Sequence, residues 1–195
     1  MPALMITTEV HSMPVSEARY RQVALEDPEG KWELVWGRLI AKPAMTTEHE
    51  QVARKLARQL ILQLSDEEFL VDRDSPRLRV HGGNYRLPDV CVIPVPVIQR
   101  RLKEYPAKLE EYEEPMPLVV EVWSPSTGDS DVDTKIPEYQ RRGDLEIWRI
   151  HPYDRTLTAW RRQPDGNYTQ STHTTGTIHP VALPNVTIDI TRLFD

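Results

Sequence analysis

The stretch Pro117-Leu118-Val119-Val120-Glu121-Val122-Trp123, followed by Ser124-Pro125-Ser126-Thr127-Gly128, decides how this chain folds. A short continuous run of apolar β-formers is the pattern of a strand covered on both faces. One acid interrupts it, between two valines. An ionised carboxylate in such surroundings costs several kcal/mol unless it is paired or coordinates a metal. The stretch therefore predicts a central strand and demands a partner for Glu121. Beyond the loop, a helix is expected over about 131–142. It ends at Gly143, a natural C′ residue, with Pro137 in its first turn or as a kink.

A second apolar run, 89–95, reads as another strand covered on both sides, with Asp89 at its mouth directly after Pro88. Residues 31–41 alternate as a half-buried strand does: Trp32, Leu34 and Trp36 share one face, Glu33 and Val35 the other. Gly37-Arg38 then turns the chain into a second strand over 39–42. The clearest helix follows, with Thr47 and Glu50 spaced as a capping box and Val52, Leu56, Leu60 and Leu64 as its apolar stripe. His49 lies at its start and points to the same inner face. Phe69–Asp72, Arg77–Val80 and Glu146–His151 read as strands. Thr156–Arg162 and 168–171 form a hairpin around Pro164-Asp165-Gly166-Asn167. Residues 96–116 are expected as a loop or a short helix, and 186–190 with Leu193-Phe194 should close the core. Together these elements predict an α/β (α+β) fold, a mixed β-sheet core flanked by an early and a later helix.

With 195 residues, the chain suits one domain. Residues 1–25 are expected as a partly ordered N-terminal extension and 26–195 as a single domain. The lone Cys91 cannot form an internal disulfide, which fits a reducing compartment. No stretch approaches the ~20 apolar residues of a membrane span, and the N-terminus lacks the pattern of a signal peptide. A cytoplasmic location without membrane contact follows. The net charge of −6 does not advertise nucleic-acid binding for the molecule as a whole. Acids gather over 104–114 and 129–133. Basic pairs at Arg54-Lys55, Arg100-Arg101, Arg141-Arg142 and Arg161-Arg162 leave room for a local basic face.

Asp89 and Glu121 are the candidates for chemistry. Each could be neutralised by an arginine such as Arg79 or Arg86. Two such acids on neighbouring strands would instead make an oxygen-rich site suited to Mg²⁺, a hard octahedral ion. Lys135 follows Glu121 by enough chain for a loop and a returning helix. That helix could bring its ammonium to the acids, to orient or deprotonate a water and stabilise charge on a phosphate. Asp129, Asp131 and Asp133 alternate like a calcium loop, but the glycine and glutamate of such a loop are misplaced. They are expected to cap the helix carrying Lys135. Phosphate-binding glycine loops, Cys/His zinc patterns and serine elbows are absent from the sequence.

Pro88-Asp89 with Glu121 in an apolar strand resembles the PD-(D/E)XK nuclease superfamily. Its usual lysine, two residues after the second acid, is replaced here by Trp123. The wider pattern resembles the Uma family of restriction-endonuclease-like proteins. It comprises Trp32-Glu33-Leu34 with Gly37, His49 opening the helix, and Arg86-Leu87-Pro88-Asp89-Val90. It continues with Val120-Glu121-Val122, Ser124-Pro125-Ser126-Thr127, Lys135 with Tyr139 and Gly143, and Glu146-Ile147-Trp148. The resemblance covers roughly 30–195 and implies a restriction-endonuclease-like fold. It also implies Asp89, Glu121 and the Val122 carbonyl as metal ligands, with Lys135 as the catalytic lysine. Glu33 matches an acid on the family's first strand, where it would complete the metal shell, hold a water or simply be exposed. His49 and Tyr139 would stand just outside the ligands or fill the core. The expected function is a Mg²⁺-dependent endonuclease, with Mn²⁺ as a substitute, acting on nucleic acid and on DNA before RNA. A homodimer would suit the cutting of two strands. The alternatives are a catalytically inactive nucleic-acid-binding module and an interaction protein whose acids are plain ion pairs.

Overall fold

The computed structural model describes residues 13–195, with the side chains of residues 130–132 outside the description. The elements run α1 (Glu17–Glu26), β1 (Trp32–Val35), β2 (Arg38–Ala41), α2 (Thr47–Ile61), β3 (Phe69–Asp72), β4 (Arg77–Val80), β5 (Asn84–Arg86) and β6 (Val90–Pro94). They continue with α3 (Val95–Glu104), β7 (Glu111–Tyr112), β8 (Leu118–Val122), α4 (Gly128–Arg142) and β9 (Glu146–His151). Last come β10 (Thr156–Arg162), β11 (Tyr168–His173), β12 (Thr177–Ile178), β13 (Ile188–Asp189) and α5 (Thr191–Phe194). The fold is mixed α/β, as the apolar strands predict.

The β-structure is divided, where one mixed sheet was expected. A six-stranded sheet has the order β11-β10-β9-β8-β6-β3, and a five-stranded one the order β2-β1-β5-β4-β7. β8 lies inside the larger sheet, parallel to β9 and antiparallel to β6. Side chains alternate across a strand, so β8 serves two cores. Leu118, Val120 and Val122 join Val52, Leu56 and Leu60 of α2 and the closing residues Ile188 and Leu193. Val119 joins Cys91, Ile136, Tyr139 and Ile147 on the other side. Glu121 shares the parity of Val119 and faces α4, while Asp89, one residue before β6, meets His49 of α2.

Two local expectations shift. The α2 cap is Thr46, one residue earlier than expected, and its side chain accepts from the His49 N–H. α4 starts at Gly128, so Pro137 sits in the helix interior and not in its first turn. Lacking an N–H, Pro137 leaves one helical carbonyl without its usual donor. The cap of α4 differs too: Thr127 makes no side-chain capping bond to the helix, and Asp129 and Asp133 pair with Arg149. Asp131 lies outside the described side chains. Gly143 ends α4 at φ 86°, the left-handed conformation predicted for it. Within 96–116 the chain makes α3 and the short β7.

Of the N-terminal segment, residues 1–12 lie outside the described residues. α1 buries Tyr20 and Ala24 against Leu34 and Tyr85. The β1–β2 hairpin turns on Trp36 and Gly37, both at positive φ, as a two-residue turn between antiparallel strands requires. Among the described residues, no helix is long and apolar enough to cross a membrane.

Candidate active site

The β6–β8 pairing aligns Val90 with Val120, which sets Asp89 beside the Glu121 end of β8. The Asp89 N–H donates to the Val120 carbonyl at 3.1 Å. In return the Val122 N–H donates to Asp89 Oδ2 at 2.6 Å. Asp89 is thus clamped to the backbone around Glu121. His49, buried in the first turn of α2, brings Nε2 to 3.1 Å from the same Oδ2. Asp89 Oδ1 has no hydrogen bond of normal geometry, but Lys42 Nζ lies 2.6 Å from it.

Lys135, Glu138 and Tyr139 lie at helical spacing on one face of α4 and are all buried. Lys135 Nζ stands 3.4 Å from Glu121 Oε2 and 3.2 Å from Glu33 Oε1. The Tyr139 hydroxyl donates to Glu121 Oε1 at 2.6 Å. Glu33 is buried, with its oxygens also taken by the Leu87 N–H at 2.9 Å and Arg86 Nη1 at 3.1 Å. Arg86 in turn bonds Glu138 through Nε at 2.7 Å. Glu33 thereby ties the lysine of α4 to the five-stranded sheet.

All the residues singled out in the sequence meet here: Asp89, Glu121, Lys135, Glu33, Val122, His49 and Tyr139. Neither arginine considered as a partner for the two acids fills that role. Arg86 serves Glu33 and Glu138, while Arg79 pairs with Glu17 and Glu113. Lys42, Asp74 and Glu138 were missed. A lysine closing a short strand looks like any solvated lysine. Glu138 could have been found from its place three residues after Lys135 on the same helical face.

Electrostatics separate the two acids. Burial pushes the Asp89 carboxyl up, but Lys42 and His49 outweigh it and hold the group well below the usual carboxylate range. Burial, reinforced by the nearby Asp89 charge, pushes Glu121 up to about 7 despite Lys135 and Lys42. Glu33 is also pushed up by burial, but Lys135, Arg86 and the Leu87 N–H bring it below its ordinary value. Burial favours the neutral form of Lys42, yet Asp89 and Asp74 keep it firmly protonated.

A cavity of about 360 Å³ is lined by Glu33, Lys42, Lys135, Ser126 and Thr127 among others, with Asp89 and Glu121 buried behind these residues and not in its lining. Larger cavities along α1 and α3 are lined by none of Glu33, Lys42 and Lys135. One arginine from each of three basic pairs is held in an ion pair: Arg142 with the buried Asp144, Arg161 with the buried Glu146, and the exposed Arg100 with Glu114.

The architecture is a mixed α/β fold in which two buried carboxylates and a lysine meet. The chain belongs to the Uma2 family, described as "Putative restriction endonuclease", whose pattern it matches over residues 17–191. A solved structure from Anabaena variabilis ATCC 29413, described as a "putative nuclease belonging to DUF820", superposes with a TM-score of 0.73. The two are 18% identical, and the match covers 93% of this chain and 98% of that one. At that identity the likeness is one of fold. No curated protein matches.

Proposed function

We propose that the chain is a Mg²⁺-dependent phosphodiesterase acting on nucleic acid, DNA before RNA, with Asp89, Glu121 and Lys135 as its working residues. The observation that carries this reading is the convergence of two buried carboxylates from adjacent strands with a lysine from α4.

The donor set suits the metal. Among the described residues, no group of three or more His, Cys, Asp or Glu side chains is arranged to hold a metal ion. The reading therefore requires Asp89, Glu121 and the Val122 carbonyl. All three are hard oxygen donors of the kind Mg²⁺ takes, with water completing the shell. Asp89 Oδ1, buried and without a normal hydrogen bond, is the oxygen best suited to an ion. When bound, the metal would lower the pKa of a water and neutralise charge on the scissile phosphate.

The protein's own groups supply the rest. Lys135, fixed between Glu33 and Glu121, orients the attacking water and offers positive charge to the phosphate oxygens. Glu33 acts through Lys135 and Arg86 as a positioning residue. Tyr139 holds the Glu121 carboxylate in one orientation by its hydroxyl, and the Val122 N–H does the same for Asp89, against which His49 packs. A catalytically inactive binding module on the same fold is favoured by one observation, the Lys42 ammonium on Asp89. The experiment that decides is cleavage of single- and double-stranded DNA and RNA in Mg²⁺ or Mn²⁺. The wild-type chain should cut, and Lys135→Ala should lose about 10²-fold or more in rate. Undiminished cleavage by Lys135→Ala would remove its role, and a wild type that binds without cutting would establish the inactive module.

A further inference from the structure

We propose that Lys42 is the resident counter-cation of Asp89, and that a divalent metal loads the site by displacing this ammonium from Oδ1. The inference rests on the metal-centre reading above and adds what regulates its occupancy.

Asp89 has two different oxygens. Oδ2 accepts the Val122 N–H at 2.6 Å, with His49 Nε2 3.1 Å away but without normal hydrogen-bond geometry. Oδ1 has only a charge contact, Lys42 Nζ at 2.6 Å, without normal hydrogen-bond geometry. Lys42 makes its hydrogen bonds elsewhere, to Asp74 Oδ1 and to the Leu87 carbonyl at 3.0 Å. An ammonium has three donors, and two of these are satisfied without Asp89. Lys42 can therefore leave Oδ1 and remain held. It is buried, its side chain 5% exposed, so its charge is poorly screened by water. A dication at Oδ1 and an ammonium in its present place would repel strongly across that dry gap.

The same arrangement keeps the carboxylates compatible with folding while no metal is bound, since an unpaired buried charge is strongly destabilising. Lys42 also lines the 360 Å³ cavity with Lys135. Once off Asp89, it would present a second cation to a phosphate entering there.

The test is calorimetric titration of Mn²⁺ into the full chain, comparing wild type, Lys42→Gln and the double variant Lys42→Gln/Asp89→Asn. Lys42→Gln should bind about tenfold tighter or more, because a competing charge is gone, and the double variant should lose binding. Equal or weaker binding by Lys42→Gln overturns the proposal while leaving the metal centre intact. Absence of binding in both wild type and Lys42→Gln overturns the metal centre itself, and this inference with it. Should Lys42→Gln fail to fold, the wild type decides through the NMR signal of the Lys42 ammonium. Saturating Mg²⁺ should shift it and speed its proton exchange with water, and an unchanged signal contradicts displacement.

Discussion

Glu121 is a misfit among valines, and its environment gives it a measurable pH signature. Its folded pKa, about 7, stands above the ordinary 4.5 because burial and Asp89 penalise its charge. Between those values the folded chain keeps a proton that the unfolded chain has released. Stability from this group is therefore lost as pH rises through that window, by about 3 kcal/mol once above 7. Asp89 has the opposite sign: its depressed pKa contributes stability above its ordinary value of 3.8, lost as pH falls through the folded pKa. Glu121→Gln should accordingly raise metal-free stability more at pH 8 than at pH 5, measured by urea unfolding. A gain independent of pH would contradict the raised pKa. Asp89, Glu121 and Lys135 were legible because a buried acid in an apolar run is an anomaly. Lys42 and Asp74 were not, since nothing local distinguishes a lysine at a strand end that meets an aspartate 32 residues away.

The elements aim the site by their ends. α2 begins where Thr46 caps the His49 N–H, so the cap also sets the histidine beside Asp89. Thr46→Ala should cost about 1 kcal/mol in urea unfolding and should weaken metal binding through His49. A stability loss with unchanged metal affinity would show that the cap does not position the histidine. At the end of α4, Gly143 has φ 86° with only ordinary contacts around a would-be Cβ. Gly143→Ala should thus cost about 1–2 kcal/mol from backbone strain alone, and a larger loss would reveal crowding that the geometry does not contain. Strands such as β8 and β9 were read correctly because β-branched and aromatic residues dominate their interiors. The α2 cap was misplaced by one because Thr46 and Thr47 are adjacent and chemically alike. The start of α4 was placed about three residues late because Gly128 does not look like a helix start, which left Pro137 open between first turn and interior.

At the scale of the whole molecule, the site lies where the two sheets meet. Asp89 and Glu121 come from the six-stranded sheet, Glu33 and Arg86 from the other, and Lys42 just beyond the end of β2; Lys135 on α4 joins the two. That division into two sheets was not legible, because pairings such as β1 with β5 and β4 with β7 join short strands far apart in sequence. Alternation within each strand says nothing about its neighbour. A ligand that binds only the folded state stabilises it by mass action, by about 2.7 kcal/mol at a hundredfold excess over its Kd. Mg²⁺ should therefore raise the Tm of the wild type at pH 8, and a chelator should reverse the rise. A Tm indifferent to both would place the carboxylates among plain ion pairs.

The central claim, a metal centre built on Asp89 and Glu121, is tested most directly by calorimetric titration of Mg²⁺ into wild type and Asp89→Asn at pH 8. The account predicts saturable binding by the wild type that Asp89→Asn loses. A wild type that takes up no Mg²⁺, or an Asp89→Asn chain that binds it equally well, would contradict the account.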